Sequence, residues 1–275
     1  MYNTALMYTP LFQKILAKVL ENRVYTIWFL GDSITSTEWI HPNWREIVEY
    51  VLKSELELEI QRLHNEEGLA LPNESYDGQY NEGELASEYA RRIPSWNVRC
   101  VNLARDGSTT RDRVKCQDKR LWVHKNIDLL IVVGTCNDPD YAFPVSETLT
   151  NLESLFAYCK NTLAIADVAY STTSYSSNPS RVEKYTPYAT AVVEKFATSE
   201  HLIDLWKTMQ ALPADEVERF YGMKNSDDSL DTTHQNVLGN SYIAGVFLEK
   251  LFGISFDYKK YCWAAVSMDY KFPSY

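Results

Sequence analysis

The sequence lacks the features that would mark a membrane protein or a disulfide-linked one. No stretch reaches the roughly 18 apolar residues that a membrane-spanning helix needs. Segment 1–23 mixes charges into its apolar residues and has no uninterrupted apolar core or cleavage site of a signal peptide. The five cysteines form no Cys-x-x-Cys pair, so neither a disulfide framework nor a zinc site is indicated. We expect a cytoplasmic protein, unless a leader has been removed from the natural chain.

Clusters of basic residues are also missing. The formal net charge is −10 at pH 7, and no stretch concentrates lysines or arginines. Because such a surface would repel a phosphate backbone, we expect no nucleic-acid partner. Internal repeats and low-complexity segments are absent, and with 45% apolar and 23% charged residues the composition is that of an ordinary globular protein.

The apolar residues alternate between strand-like and helix-like patterns, and the length of 275 residues favours one domain. Short apolar runs predict five strands, at 24–30, 97–103, 126–134, 162–170 and 201–206. Helical spacing predicts helices at 11–20, 43–63, 85–93, 146–161, 188–196 and 240–251, with a charged helix after residue 110. This alternation predicts an α/β fold with a mainly parallel sheet covered by helices on both faces.

Three segments are predicted to be additions to a single domain spanning 1–275. Residues 1–23 form an N-terminal helical extension. Residues 64–84 are polar and acidic and form a surface loop insertion. The aromatic-rich tail 253–275 packs across the body or joins a second copy of the chain in a homo-oligomer.

Polar or small residues follow four of the predicted strands. Ser33 follows the first strand, Gly107 the second and Asn137 the third, while Asp231 and His234 lie in the loop after the fifth. Because parallel strands bring their carboxyl ends to one edge of a sheet, we expect these residues to lie close together.

These residue types suit nucleophilic attack on a carbonyl group. A serine hydroxyl needs an adjacent base, and the base needs a partner that fixes its tautomer, roles that Ser33, His234 and Asp231 could fill. The oxyanion that forms needs donors, which the backbone N–H groups of Ser33 and Gly107 and the side-chain amide of Asn137 could supply. The alternative is that Asp231 caps a helix and His234 is a surface residue.

Four motifs resemble, in order, those of the SGNH (GDSL-type) hydrolase family. They are GDSIT (31–35), NLARDGSTT (102–110), GTCND (134–138) and DTTHQNVLGN (231–240). The resemblance covers most of residues 24–251 and implies a flavodoxin-like three-layer α/β/α sandwich. Separately, Glu38 and His41 form a Glu-x-x-His pair near Ser33, but one such pair cannot complete a metal shell and no second histidine cluster is visible, so we expect no metal and no cofactor.

The resemblance also implies roles for individual residues. Ser33 is the expected nucleophile, and Asp231 and His234 complete the catalytic triad. The oxyanion hole is expected to consist of Ser33, Gly107 and Asn137.

The sequence departs from the family pattern in two places. Two residues separate Gly134 from Asn137 where the family usually has one, and the extra residue either forms a bulge or rotates Asn137 away from the oxyanion. After GDSIT the chain continues with STEWIHPNW, where many members have a glycine. We therefore predict that Trp39, His41 and Trp44 contact the substrate, with core packing of the tryptophans as the alternative.

The predicted function is that of a serine esterase. It would hydrolyse carboxylic esters with short-chain or carbohydrate-borne acyl groups through an acyl-enzyme on Ser33, so its partner is a small-molecule or carbohydrate ester. The resemblance leaves lysophospholipase, thioesterase and acyltransferase activities open. A non-catalytic carbohydrate-binding or scaffold protein is the alternative of a different class.

Overall fold

The computed structural model describes most of the chain. The described residues are 8–36, 40–68, 97–120, 126–134, 137–176, 178–199, 201–222 and 229–260. Most of the predicted loop insertion 64–84, the predicted helix 85–93 and the end of the tail 253–275 lie outside these ranges.

Strands and helices alternate along the chain as the sequence predicts. The strands are β1 Tyr25–Leu30, β2 Val98–Asn102, β3 Leu129–Val133, β4 Asp167–Ser171 and β5 Leu202–Ile203. The helices are α1 Pro10–Leu20, α2 Trp44–Glu67, α3 Thr110–Arg120, α4 Val145–Asn161, α5 Pro179–Lys195, α6 Leu205–Gln210, α7 Ala214–Glu218 and α8 Val237–Phe247, which continues as a π-helical turn over Leu248–Phe252. Among these helices, none combines the length and the apolar character needed to cross a bilayer.

The five strands form one sheet in the order β2-β1-β3-β4-β5, and every neighbouring pair is parallel. This is the strand order of flavodoxin-like folds, so the predicted sheet is confirmed. All strands point the same way, and their carboxyl ends form one edge, which we call the carboxyl edge. The loops after the strands meet there.

Helices cover both faces of the sheet. Ile27 and Phe29 of β1 pack in a cluster with residues of α1, α2 and α8. Trp28 and Leu30 point to the opposite face and pack with residues of α4 and α5. Every residue of β3 is buried, as expected for a central strand covered on both sides. The predicted three-layer sandwich is therefore confirmed.

All five strands are shorter than predicted, and for two of them the structure shows a local cause. The segment 201–206 was predicted as a strand throughout, but β5 covers Leu202–Ile203, because Asp204 Oδ1 accepts from Lys207 N–H at 3.0 Å and starts α6. In the segment 162–170, β4 begins at Asp167, after Ala164 adopts a left-handed φ of 53°. Both deviations arise from local backbone geometry inside an apolar run.

Helix α2 is longer than predicted at its carboxyl end. It begins with a capping box between Asn43 and Glu46 and continues to Glu67. Gly68 then adopts a left-handed φ of 70° and ends it. Residues 64–67 are therefore helical, and the prediction that they begin a surface loop is wrong.

Candidate active site

The turn that carries Ser33 begins where β1 ends and is closed by its own hydrogen bonds. The Asp32 carbonyl accepts from Thr35 N–H at 3.0 Å, and Asp32 Oδ1 accepts from Ile34 N–H at 3.2 Å. A Cβ atom on Gly31 would lie 2.4 Å from Thr35 Oγ1, so this position has no room for a side chain. Ser33 is 7% exposed, and the turn therefore holds it just below the surface of the carboxyl edge.

The loop after β2 folds against this turn and carries Gly107. Ser108 Oγ donates to the Gly31 carbonyl at 2.9 Å, and Ser36 Oγ donates to Asp106 Oδ1 at 2.5 Å. Gly107 has a φ of 65°, in the left-handed region that favours glycine. The two hydrogen bonds on either side of Gly107 hold its backbone close to the Ser33 turn.

The loop after β3 brings Asn137 to the same place. Asn137 Nδ2 donates to the Ser108 carbonyl at 3.0 Å. The next residue, Asp138, is fully buried and accepts from Thr110 N–H at 2.8 Å, Thr110 Oγ1 at 2.5 Å and Thr148 Oγ1 at 2.6 Å. Because Asp138 is bound to the first residue of α3, the Asn137 amide stays next to the Gly107 loop.

Asp231 and His234 form a buried hydrogen-bonded pair. Asp231 Oδ2 and His234 Nδ1 are 2.7 Å apart, and Asp231 Oδ1 accepts from the N–H groups of Thr233 at 2.7 Å and His234 at 3.0 Å. Burial raises the pKa of the Asp231 carboxyl, but the hydrogen bonds from His234 and Thr233 outweigh burial and hold the pKa below its usual range. An ionised Asp231 accepts the Nδ1 proton and so favours the His234 tautomer that carries its proton on Nδ1.

The alternative assignment of Asp231 as a helix cap is wrong. Helix α8 is capped by Asn236, whose side chain accepts from Gly239 N–H at 3.1 Å. The His234 side chain is 13% exposed, so it is largely enclosed rather than free in solvent.

The loop 172–178 after β4 supports the segment between Asp231 and His234. Ser176 Oγ donates to the Thr232 carbonyl at 3.0 Å. Gln235 is buried, and its Nε2 donates to Ser174 Oγ at 2.8 Å. Residues 231–235, which we call the base loop after the candidate base His234, are thus attached to the neighbouring strand end on both sides of His234.

One face of α5 joins the base loop to the Asn137 loop. Arg181 Nη1 donates to Thr233 Oγ1 at 2.8 Å. One turn further along the same face, Lys184 Nζ pairs with Asp140 Oδ1 at 2.7 Å, and the Tyr185 hydroxyl donates to the other oxygen of Asp140. A single helix therefore spaces the two loops.

The residues that directly follow the candidate nucleophile and the candidate base are also connected. Ile34 packs in a buried cluster with Tyr185 and Tyr175. The Tyr175 carbonyl accepts from the Tyr221 hydroxyl, which in turn accepts from Gln235 Nε2 at 2.9 Å. Packing and hydrogen bonds thus link the two halves of the site at the carboxyl edge.

The structure corrects the expectation for Trp44 and places His41 at the surface. Trp44 is completely buried, stacks on Phe247 with ring centroids 4.3 Å apart and donates its indole N–H to the Ile34 carbonyl at 3.1 Å. A side chain in this position cannot touch a substrate, so Trp44 supports the Ser33 turn from the core. His41 is 30% exposed at its side chain, with Nδ1 3.2 Å from Glu46 Oε2.

Several predicted features fall outside the described residues. Trp39 is one of them, and Glu38, considered with His41, is another. Thr135 and Cys136, which contain the extra residue of the third motif, also lie outside. Over the ranges that the structure does describe, no group of three or more metal-ligating side chains is present.

Sequence analysis missed Arg113, which lies beneath the site. Its side chain is 2% exposed, with Nη2 3.3 Å from Asp32 Oδ2, while Nη1 donates to the Gly134 carbonyl at 2.5 Å. The surrounding segment is rich in charge and predicts a solvated helix. The sequence carries no signal for its burial, because only the structure shows that Arg113 and Thr110, three residues earlier, are both buried.

The strand order and the three layers are those of the flavodoxin-like α/β/α sandwich that the motifs predict, and the loops after the strands meet at the carboxyl edge. The structure is similar to that of a lipase/acylhydrolase from Enterococcus faecalis, with 18% identity, a TM-score of 0.51 and coverage of 83% of this chain and 95% of that chain. It is also similar to a catalytic mutant of Axe2, an acetylxylan esterase from Geobacillus stearothermophilus, with 17% identity, a TM-score of 0.52 and coverage of 86% and 96%.

The solved Axe2 structures include catalytic mutants at three positions, a serine, an aspartate and a histidine three residues after that aspartate. No protein-family model matches the sequence, and no curated protein sequence matches it. At these sequence identities the similarity confirms the fold.

Proposed function

We propose that this protein is a serine esterase with Ser33 as nucleophile, His234 as general base and Asp231 as the residue that orients the base. The observation that carries the proposal is the buried Asp231–His234 pair, with 2.7 Å between Oδ2 and Nδ1. Its loop is connected through Tyr175 to the turn that carries Ser33. The same residue types, with the same aspartate-to-histidine spacing, are the positions of the catalytic mutants of Axe2.

In the first half of the reaction, the Ser33 hydroxyl oxygen attacks the ester carbonyl carbon while His234 Nε2 takes the hydroxyl proton. The tetrahedral intermediate collapses, the bond to the leaving alcohol breaks, and His234 returns the proton to that alcohol. In the second half, His234 takes a proton from water, which attacks the acyl group on Ser33. The acid leaves, and the proton returns to Ser33.

The oxyanion is proposed to bind the backbone N–H groups of Ser33 and Gly107 and the side-chain amide of Asn137. The amide nitrogen of asparagine carries two hydrogens. One is donated to the Ser108 carbonyl, which fixes the amide plane and leaves the second for the oxyanion.

The proposed substrate is a short-chain or carbohydrate-borne ester. The support is the similarity to an acetylxylan esterase and a lipase/acylhydrolase, together with the exposed side chain of His41 at the end of the Ser33 segment. Trp44 no longer supports this assignment, because it lies in the core. Cytoplasmic location and self-association through residues 253–275 stay predictions.

The test compares wild type, Ser33→Ala and the control Ser54→Ala, which changes a partly exposed serine of α2. We expect Ser33→Ala to lower kcat for p-nitrophenyl acetate by a factor of about 10⁴ or more, and Ser54→Ala to leave it unchanged. A fluorophosphonate should label the peptide that contains Ser33. Equal rates for wild type and Ser33→Ala, or labelling of another residue, would refute the proposal.

The substrate class is tested separately, with the wild-type protein. Acetylated xylo-oligosaccharides, p-nitrophenyl acetate and p-nitrophenyl octanoate are compared by kcat/KM. We expect the two acetyl esters to be preferred. A preference for octanoate would favour lysophospholipase or thioesterase activity with the same triad.

A further inference from the structure

A buried arginine connects two strand ends beneath the candidate active site. Arg113 Nη2 contacts Asp32 Oδ2 at 3.3 Å, and Arg113 Nη1 donates to the Gly134 carbonyl at 2.5 Å. The side chains of Arg113 and Asp32 are 2% and 1% exposed. One guanidinium group is thus bound to the segment after β1 and to the segment after β3.

Stability alone is a poor explanation for this ion pair. Burying two charges is unfavourable because both lose their contact with water. Well-packed apolar residues of similar volume often make the folded protein equally stable or more stable. An arginine presents its donors in a rigid planar fork, which fixes the positions of two partners relative to each other. The pair is therefore better explained by the geometry that it holds.

That geometry includes both sides of the proposed oxyanion hole. Asp32 directly precedes Ser33, and its Oδ1 accepts from Ile34 N–H, which shapes the turn. Gly134 directly follows β3, with a left-handed φ of 72°, three positions before Asn137. The guanidinium also compensates the carboxylate charge of Asp32, which would otherwise oppose a developing oxyanion nearby.

We propose that Arg113 is a positioning residue of this site, which holds the Ser33 turn and the start of the Asn137 loop at a fixed separation. The proposal rests on the proposed function, because the separation matters for catalysis only if Ser33 and Asn137 act on the same carbonyl group. Arg113 itself does not touch the substrate.

The experiment compares Arg113→Lys, the double variant Asp32→Asn/Arg113→Met, and the control Lys115→Met, which changes an exposed residue of the same helix. The double variant removes both buried charges, so its urea midpoint should stay close to that of wild type. Arg113→Lys keeps one charge but has no fork with which to hold both partners. We expect kcat to fall by a factor of about 10² in both variants, with little change in KM, as for a displacement of about 1 Å.

The outcomes separate positioning from a merely structural role. A folded double variant with wild-type kcat would overturn the proposal. If the double variant does not fold, Arg113→Lys decides: a reduced kcat in a folded protein supports positioning, and a wild-type kcat overturns it. Lys115→Met should match wild type in kcat and urea midpoint.

A second readout keeps this inference distinct from the proposed function. If Ser33→Ala retains full activity in the same assay, the proposed function fails, and hydrogen exchange then tests Arg113 alone. The N–H groups of Thr35 and Ser36 both donate to the Asp32 carbonyl. Their exchange should be at least tenfold faster in Arg113→Lys than in Lys115→Met, and equal rates would overturn the positioning role.

Discussion

The turn that carries Ser33 is held from inside the protein, whereas the loop that carries Asp231 and His234 is held from two sides, one buried and one partly exposed. Beneath the turn lie Trp44, which is completely buried, and Arg113, which is 4% exposed. The base loop is supported on its inner side by the buried residues Ser176 and Gln235, and on its outer side by Arg181, a partly buried residue of α5. We infer that changes beneath the turn affect stability and catalysis together, while changes on the outer side of the base loop affect mainly catalysis.

The largest expected effect comes from breaking the base loop at its centre. In Asp231→Asn, the amide oxygen can still accept from the N–H groups of Thr233 and His234, so the loop should keep its shape. The amide cannot stabilise the imidazolium or select the correct tautomer, and kcat should fall by about 10⁴.

The measurement is steady-state hydrolysis of p-nitrophenyl acetate, with circular dichroism to monitor folding. Asp215→Asn changes an exposed acid in the first turn of α7 and serves as the control. A loss of less than about tenfold in Asp231→Asn would mean that the pair is not part of a triad.

The second largest effect is expected at Asn137, whose loop contacts both the loop beside the Ser33 turn and α5. Asn137→Ala removes the proposed side-chain donor and should lower kcat by about 10²–10³ with KM nearly unchanged. Asn161→Ala, at the carboxyl end of α4, is the control and should behave as wild type. An unchanged kcat in Asn137→Ala would remove Asn137 from the oxyanion hole and leave the backbone donors.

The third prediction tests support from the core. Trp44→Phe removes the indole N–H that binds the Ile34 carbonyl, which keeps its other hydrogen bond from Asn43 Nδ2 at 3.1 Å. We expect the lost hydrogen bond and the smaller ring in the core to lower the free energy of unfolding in urea by about 1–3 kcal/mol, together with a decrease in kcat. A lower stability with an unchanged kcat would show that the turn keeps its shape without this hydrogen bond.

The smallest effect is expected at the surface of the base loop. Arg181→Met removes the hydrogen bond to Thr233 Oγ1 and should lower kcat about fivefold. The free energy of unfolding should change by less than about 1 kcal/mol, since Arg181 is partly exposed. Lys195→Met, at the other end of α5, is the control. If Arg181→Met lost more stability than Trp44→Phe, the proposed difference between the Ser33 turn and the base loop would be wrong.

Much of the fold could be predicted because its signals are local. The apolar run of β3 and the capping box before α2 are local patterns that determine the type of each element. The prediction that the strand extends over 201–206 was wrong for a local reason as well. Asp204 is a good helix cap, and this signal competes with the apolar run around it.

The candidate site was only partly predictable. The motifs identify Ser33 and His234 as candidates, since each follows a predicted strand. The side chains that position them come from distant segments and carry no motif. Arg113 is the example, because its guanidinium meets Asp32, 81 positions away in the sequence, and the Gly134 carbonyl only in the folded sheet.

The bond between the start of α2 and the start of α8 has a consequence for protein synthesis. Trp44 N–H donates to Asn240 Oδ1 at 3.0 Å across 196 positions of sequence. At a translation rate of about 5–20 residues per second, a nascent chain carries Trp44 for roughly 10–40 s before this partner exists. During that interval the Trp44 indole also lacks Phe247, on which it stacks in the folded protein, so the support beneath the Ser33 turn is completed only when α8 has been made.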